Sequence, residues 1–439
     1  MTARTARPEL LDSAPYGTGR GTRGSARPLT MRPGSSTASG WTPAIVCVLA
    51  YLFVIHSGKL DIGTYAIILG LVFVLLEGKP IKVPSFLVAF GLFLAWTLAT
   101  SPLALDPARA FDKWSGYGKF WLICFLMYNA VRTPAQWRIV TVGWLALFAL
   151  FPFRGIVFNV LTGNLTQGRY SWNFGFRNPN DYATIALLAL TLAIVHLRPG
   201  GPRWVRWGAL AGAIGLPGAI LLTGSRAGVL GMAMMAAILL TFSKHRMGLL
   251  TVSVCAVLIA FPLLPESTRE RFGGMRFLTS SETLAQADRY GSTAERSVIL
   301  SVAAAVARDH PLFGVGIGNY PIANFRYAAS RADWRIASGF RDSHNTYLTL
   351  AAETGVVGLL LFGSSVVLVG IGLFHERQAE AFASGRGIGG VQGFAPTVLF
   401  AGIAGYSTMC LTGSYVYMAF PYLLVTLAAR YRSPHRANA

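Results

Sequence analysis

The chain has 439 residues, 53% of them hydrophobic and only 13% charged, with a formal net charge of +20. Soluble domains carry about 25% charged residues, so this composition excludes an ordinary soluble domain and indicates an integral membrane protein. Of the 38 basic residues six are lysine, which leaves 32 arginines. Genome composition is one reason for such a bias; the guanidinium fork, which pairs bidentately with oxyanions, is the other.

Residues 1–40 are rich in Arg, Gly, Ser, Thr and Pro and show no hydrophobic period, which predicts a disordered cytoplasmic tail. Met31 is an alternative start. The apolar run near Ile45–Ile55 follows a basic segment, but no small-x-small cleavage site comes after it. It is therefore expected to be an uncleaved first span.

A bilayer core of about 30 Å needs roughly 20 apolar residues per helix. Twelve such runs centre near residues 50, 70, 92, 124, 148, 188, 214, 234, 256, 360, 402 and 422. The expected fold class is therefore an all-α polytopic membrane protein with about 12 transmembrane helices. Spans 1–9 occupy 41–264, a large helical periplasmic loop 265–343, spans 10–12 residues 344–431, and a cytoplasmic tail 432–439.

An even number of spans puts both termini on one side, and the positive-inside rule makes that side cytoplasmic. The inner loops "EGKPIK", "VRTPAQWR", "RPGGPRWVRW", "SKHRMG" and "HERQAEAFASGRG" each hold two or three Lys or Arg. The outer "HSGKLD", "TGSR" and "TGSY" hold one or none, and "SPLALDPARAFDKW" balances its basic residues with aspartates. One outer loop breaks the pattern. "FRGIVFNVLTGNLTQGRYSWNFGFRNPND" carries Arg154, Arg169 and Arg177. Cys47, Cys124, Cys255 and Cys410 all lie in apolar runs, so no disulfide framework is implied.

The large loop has ten arginines, eight acidic residues and no lysine. "TAERSVILSVAAAVARDHP" predicts an amphipathic helix started by Thr293 and stopped before Pro311. "FGVGIGNYP" reads as a glycine-rich turn and "IANFRYAASRADWRIA" as a second helix.

On this topology His344, Arg226, Arg177 and Arg296 share the outer face. Snorkelling explains a lone arginine at a helix end, but not three converging with a histidine. Taken alone, His344 also fits an interfacial hydrogen-bonding residue. If helical from its start, the segment would put Tyr347, Leu348 and Ala351 on the face of His344. Glu353 would then lie about 13.5 Å deeper and point away. Glu353 is accordingly expected to brace a neighbouring helix, with Gly355 and Gly358 permitting close approach. Asn345 either caps the helix or orients His344.

An imidazole kept neutral by nearby arginines suits proton abstraction from a hydroxyl. The outer loops show no ligand spacing for a metal, and "GVGIGN" lacks the Lys-Ser/Thr of a nucleotide loop. No cofactor, metal or nucleic-acid partner is expected. A neutral base beside arginines points to a pyrophosphate leaving group and a hydroxyl acceptor. Outside a bacterial inner membrane, nucleotide sugars are absent, so an activated sugar there would be carried on a lipid diphosphate.

The stretches "TGSRAGVLG" (223–231), "ERSVILSVAAAVARDHPLFGVGIGNY" (295–320) and "SHNTYLTLAAETGVVGLLLF" (343–362) resemble the O-antigen ligase/polymerase superfamily. Within it they resemble the O-antigen ligases that finish lipopolysaccharide. The resemblance covers roughly the second half of the chain; the first 170 residues share only hydropathy. It implies a metal-independent, inverting glycosyltransferase of the inner membrane with a periplasmic active site. Such an enzyme moves polysaccharide from undecaprenyl diphosphate to a hydroxyl of lipid A–core oligosaccharide, with membrane lipids as further partners. His344 would be the base, and Arg226, Arg177 and Arg296 would bind the diphosphate. Asn345, Tyr347, Arg341, Arg154 and Arg169 would support them.

Three other readings compete. A polymerase of the same superfamily joins repeat units on lipid diphosphates. A protein O-oligosaccharyltransferase resembles this chain plus a C-terminal periplasmic region, which is not expected after Arg430. A secondary transporter would bind at the midplane and often shows internal repeats, and no half-to-half repeat is evident here.

Overall fold

The structure, a computed structural model, describes residues 40–166, 168–172, 178–198, 201–243, 246–248, 251, 262, 269, 292–383 and 393–431. Among these residues every regular element is a helix, and an isolated bridge pairs Thr166 with Arg169. The helices are α1 (Pro43–Ser57), α2 (Gly63–Leu76), α3 (Ser85–Thr100), α4 (Pro107–Ala130), α5 (Pro134–Phe148) and α6 (Arg154–Thr162). They continue as α7 (Pro179–His196), α8 (Arg203–Leu222), α9 (Arg226–Thr241), α10 (Ser292–Asp309) and α11 (Tyr320–Ser330). The last three are α12 (Thr346–Ala383), α13 (Phe394–Met409) and α14 (Ala419–Arg430).

Several helix starts are written as a capping side chain followed by proline. Thr42–Pro43, Asp106–Pro107, Thr133–Pro134 and Asn178–Pro179 open α1, α4, α5 and α7. In each the capping oxygen accepts a backbone N–H of the first turn, and the proline sits where no N–H is needed.

Among the described residues four stretches are long and apolar enough to cross a membrane: Ser85–Leu103, Pro134–Thr162, Arg203–Leu222 and Thr346–Glu380. Helices α1, α2, α9, α13 and α14 are apolar but shorter. Outward-facing Ile68, Leu75, Leu76, Leu161, Leu360 and Val367 are exposed. A helix apolar all round that buries only one side suits a lipid surround. The span expected near residue 256 lies outside the described residues.

Small residues bring the helices together, as membrane packing requires. A Cβ on Gly231 of α9 would meet the Gly405 carbonyl oxygen of α13 at 3.0 Å. One on Gly402 would meet Thr191 Oγ1 of α7 at 2.1 Å. Residues of α10, α11 and the top of α12 form a separate small core around Ile299, Val302, Val306, Tyr320, Ala323 and Ala352.

This helical cap joins the bundle at a break in α12. Gly355 has φ 68°, and a Cβ there would lie 1.9 Å from the Leu312 carbonyl oxygen. The kink frees backbone groups that need partners. Val356 N–H donates to Pro311 O at 2.8 Å, and Trp96 Nε1 donates to Thr354 O at 2.9 Å. Val315 and Gly316 N–H donate to Ala352 and Glu353 O at 2.8 and 2.9 Å. The expected glycine-rich turn is thus present, with positive φ at Gly314, Gly316 and Gly318.

Several expectations are corrected. Arg154 is not in a loop: α5 runs through a π-helical turn (Ala149–Phe153, containing Pro152) into α6, so Arg154 is an exposed helical residue. The helix α4 begins at Pro107, inside the stretch read as an outer loop, and α12 continues through "HERQAEAFA", read as an inner one. The second cap helix ends at Ser330 and yields to a 3-10 turn over Ala332–Ala337. Glu353 braces not a membrane helix but the cap, because its Oε1 accepts the Tyr320 N–H at 3.0 Å at the start of α11. Gly355 is a kink where a carbonyl approaches, not a smooth helix–helix contact.

Candidate active site around His344

The segment entering α12 is held by its own polar side chains. Ser343 is fully buried; its Oγ donates to Asn345 O at 2.7 Å and accepts the Asn345 N–H at 3.0 Å. His344 between them has φ 54°. That left-handed conformation costs a non-glycine residue of order 1 kcal/mol and persists where the surroundings over-determine it. The helix therefore starts only at Thr346, and the expectation that Tyr347, Leu348 and Ala351 share a helical face with His344 is corrected. Asn345 is the cap: its Oδ1 accepts the Tyr347 and Leu348 N–H groups, both at 3.0 Å.

The same segment is stapled to the end of α13. Thr346 N–H donates to Cys410 O at 2.8 Å and Thr346 Oγ1 to Gly413 O at 2.7 Å. Asn345 Nδ2 donates to Leu411 O at 3.0 Å, and Tyr347 OH to Ser407 O at 2.8 Å. Tyr347 is thus a strut whose hydroxyl is engaged.

Helix α10 supplies charge. Glu295 pairs with Arg341 at 3.0 Å, tying α10 to the segment before His344. Arg341 is thereby an exposed ion-pair partner. Half-buried Arg296 is the next residue along. Burial first, and then the Arg296 guanidinium, pull the His344 imidazole below its ordinary value. Asp342 and Glu295 push the other way, and Arg341 adds a last lowering contribution. The net effect is downward and favours the neutral imidazole.

Arg226 reaches the same end by helix packing. Gly231 lies against Gly405 and Met409, while Thr191 touches both Met235 (3.9 Å) and Gly402, so α9 and α13 run antiparallel. Arg226, at the start of α9, is about 7.5 Å beyond Gly231 along the helix. It therefore lies toward the end of α13 that staples Thr346. Ser225 caps α9 by accepting the Gly228 N–H at 3.2 Å.

Arg169 fixes the turn before Arg226. This buried side chain donates from Nε to Thr223 O at 2.7 Å and from Nη2 to Asn180 Oδ1 at 2.9 Å. It acts as a brace between that turn and the start of α7. Arg177 lies outside the described residues, and Arg154 sits exposed on α6. Among the described residues no three His, Cys, Asp or Glu side chains group as metal ligands.

Sequence reasoning missed two groups. Asp181, next to the Asn180 that holds Arg169, accepts a hydrogen bond from Tyr417 OH at 3.5 Å. Burial, then the charges of Asp181 and Asp342, raise the Tyr417 phenol, which places Asp342 within electrostatic reach of both Tyr417 and His344. Asp181 stood in "NPNDYATI" and Tyr417 in "GSYVYMAF", but no local pattern joins stretches 236 residues apart.

Residues 210–363 match the family model described as O-antigen ligase. The matched region contains Arg226, Arg296 and His344. No curated protein matches the chain.

Proposed function

On the premise of that family match, we propose that the protein transfers O-antigen polysaccharide from undecaprenyl diphosphate to a hydroxyl of lipid A–core oligosaccharide. The observation that carries this reading is His344, clasped in a left-handed turn, where burial and the Arg296 guanidinium favour the neutral imidazole. The acceptor hydroxyl gives its proton to His344 as its oxygen attacks the anomeric carbon. The bond from that carbon to the phosphate oxygen breaks, and the diphosphate leaves with the electron pair. Attack opposite the leaving group inverts the centre.

Arg226 and Arg296, with Arg177, hold the diphosphate and stabilise the charge that grows on it. The reaction is metal-independent in this proposal, with guanidinium groups balancing the diphosphate. The charge of the short loops supports an inner-membrane protein with cytoplasmic termini and the site facing the periplasm.

The test is lipopolysaccharide from a deletion strain, run on a gel beside its lipid-linked sugars. Core without O-antigen, with long chains stranded on the lipid carrier, is the expected result. Core bearing a single repeat unit would instead assign a polymerase, and the acceptor at His344 would change.

A further inference from the structure

We propose that Tyr417 and Asp181 form a carbohydrate-binding subsite beside His344, which seats the sugar ring that carries the acceptor hydroxyl. The inference rests on the glycosyl-transfer reading above.

Residues 413–424 are buried one after another except Tyr417, which is 51% exposed. The turn that presents it is fixed on both sides. Tyr422 OH donates to Val416 O at 2.6 Å, Tyr415 N–H to Thr346 Oγ1 at 3.0 Å, and Met418 N–H to Tyr415 O at 3.3 Å. A rigid aromatic face in an otherwise buried stretch is a platform that loses little freedom when something stacks on it.

Tyrosines also line membrane interfaces, so exposure alone decides nothing. The carboxylate does. A lipid-facing phenol turns its ring to acyl chains, whereas the Tyr417 hydroxyl meets Asp181 and its ring lies within the field of Asp342. Those carboxylates disfavour a diphosphate here. They favour a neutral, hydroxyl-rich ligand, since ionised carboxylates accept hydrogen bonds from sugar hydroxyls. The apolar face of a pyranose stacks on an aromatic ring. A base must also lie within hydrogen-bond reach of the proton it takes. Tyr415, two residues before Tyr417, donates its N–H to Thr346 Oγ1 at 3.0 Å, two residues after His344, so a sugar on Tyr417 and Asp181 sits next to the segment that carries the base.

The test uses the full chain in nanodiscs, with a prenyl-diphosphate-linked saccharide as donor and lipid A–core as acceptor. Tyr417→Leu and Asp181→Asn should each raise the acceptor KM about tenfold, as loss of one stacking or hydrogen-bonding contact would. The donor KM should stay unchanged, and Tyr417→Trp should restore acceptor KM. Equal changes in both KM values, or a fall in kcat alone, would overturn the subsite. So would a Tyr417→Leu chain that loses thermal stability in the bilayer yet keeps its acceptor KM, the behaviour of an interfacial anchor.

Calorimetry with deacylated core oligosaccharide and no donor separates this idea from the transfer reaction. Binding that weakens in Tyr417→Leu supports the subsite even if no sugar is transferred. An active wild-type protein with equal affinity in the two chains would overturn it, as would wild-type protein that binds no oligosaccharide.

Discussion

Ser343 and Asn345 clasp each other across His344, the Ser343 hydroxyl engaging both the N–H and the carbonyl of Asn345 at 3.0 and 2.7 Å. Thr349 Oγ1 completes the clasp, 2.6 Å from Ser343 Oγ and 2.9 Å from Asn345 O. A histidine at φ 54° between these ends is aimed by its backbone, not by a helix face.

Ser343→Ala should therefore misplace the imidazole without unfolding the chain. The hydroxyl makes three contacts, each worth about 1 kcal/mol, a loss of roughly 3 kcal/mol that the fold should survive with abundance largely kept. A misaimed base, by contrast, costs up to ~100-fold in rate. Steady-state kinetics with saturating donor and acceptor would read a fall in kcat. A Ser343→Ala enzyme with wild-type kcat would mean that the clasp does not position His344.

The charges around His344 make opposite predictions for two substitutions. Its pKa is lowered by burial and by Arg296 and raised by Asp342. As a base it must be unprotonated, so activity falls as pH drops through that pKa. The acid limb of kcat/KM, which reports the free enzyme, should lie below the ordinary value of about 6.5. Arg296→Gln removes a lowering charge and should move the limb to higher pH. Asp342→Asn removes a raising one and should move it to lower pH. Shifts in the same direction for both would mean that the limb belongs to another group.

Two arginines on either side of one turn should separate cleanly. Arg169 is a brace, and its loss leaves Thr223 O and Asn180 without this donor, a cost of about 2–3 kcal/mol for a charged hydrogen-bonding group. Arg169→Ala should lower the unfolding temperature in detergent, and Arg169→Lys should recover it only in part because an ammonium lacks the fork. Arg226→Ala should instead leave the chain inserted and abundant while reducing transfer by at least about 100-fold. Loss of abundance in Arg226→Ala would assign it a structural role.

The local signals read correctly from the sequence were those that depend on neighbours within a turn. The helix over 292–309, the glycine turn and the Asn345 cap follow from capping residues, prolines and glycines. What failed depended on distant contacts. His344 was placed on a helix face because nothing in "SHNTY" announces a left-handed residue; the clasp needs Thr349 and the α13 staple as well. Arg169 stood out as a basic residue against the loop bias, yet its partners are 54 and 11 residues away. Tyr417 was invisible because a tyrosine in an apolar stretch looks like any interfacial aromatic.

Glu353 gives the sharpest contrast between a structural and a chemical carboxylate. Its Oε1 caps the start of α11 through the Tyr320 N–H, two residues before the Gly355 kink that receives the Leu312 carbonyl. Glu353→Gln keeps an acceptor oxygen and should retain the fold. Glu353→Ala leaves the buried N–H unpaired, at about 1–3 kcal/mol. Gly355→Ala forces a Cβ into the Leu312 backbone and strains a positive φ, a further ~1–3 kcal/mol. Both alanine variants should loosen the cap, read as faster proteolysis within 292–343 and lower abundance, whereas His344→Ala should stay resistant and abundant but inactive. If Glu353→Ala instead matched His344→Ala, intact and inactive, the carboxylate would have to join the reacting groups. The brace assigned to it would then fall.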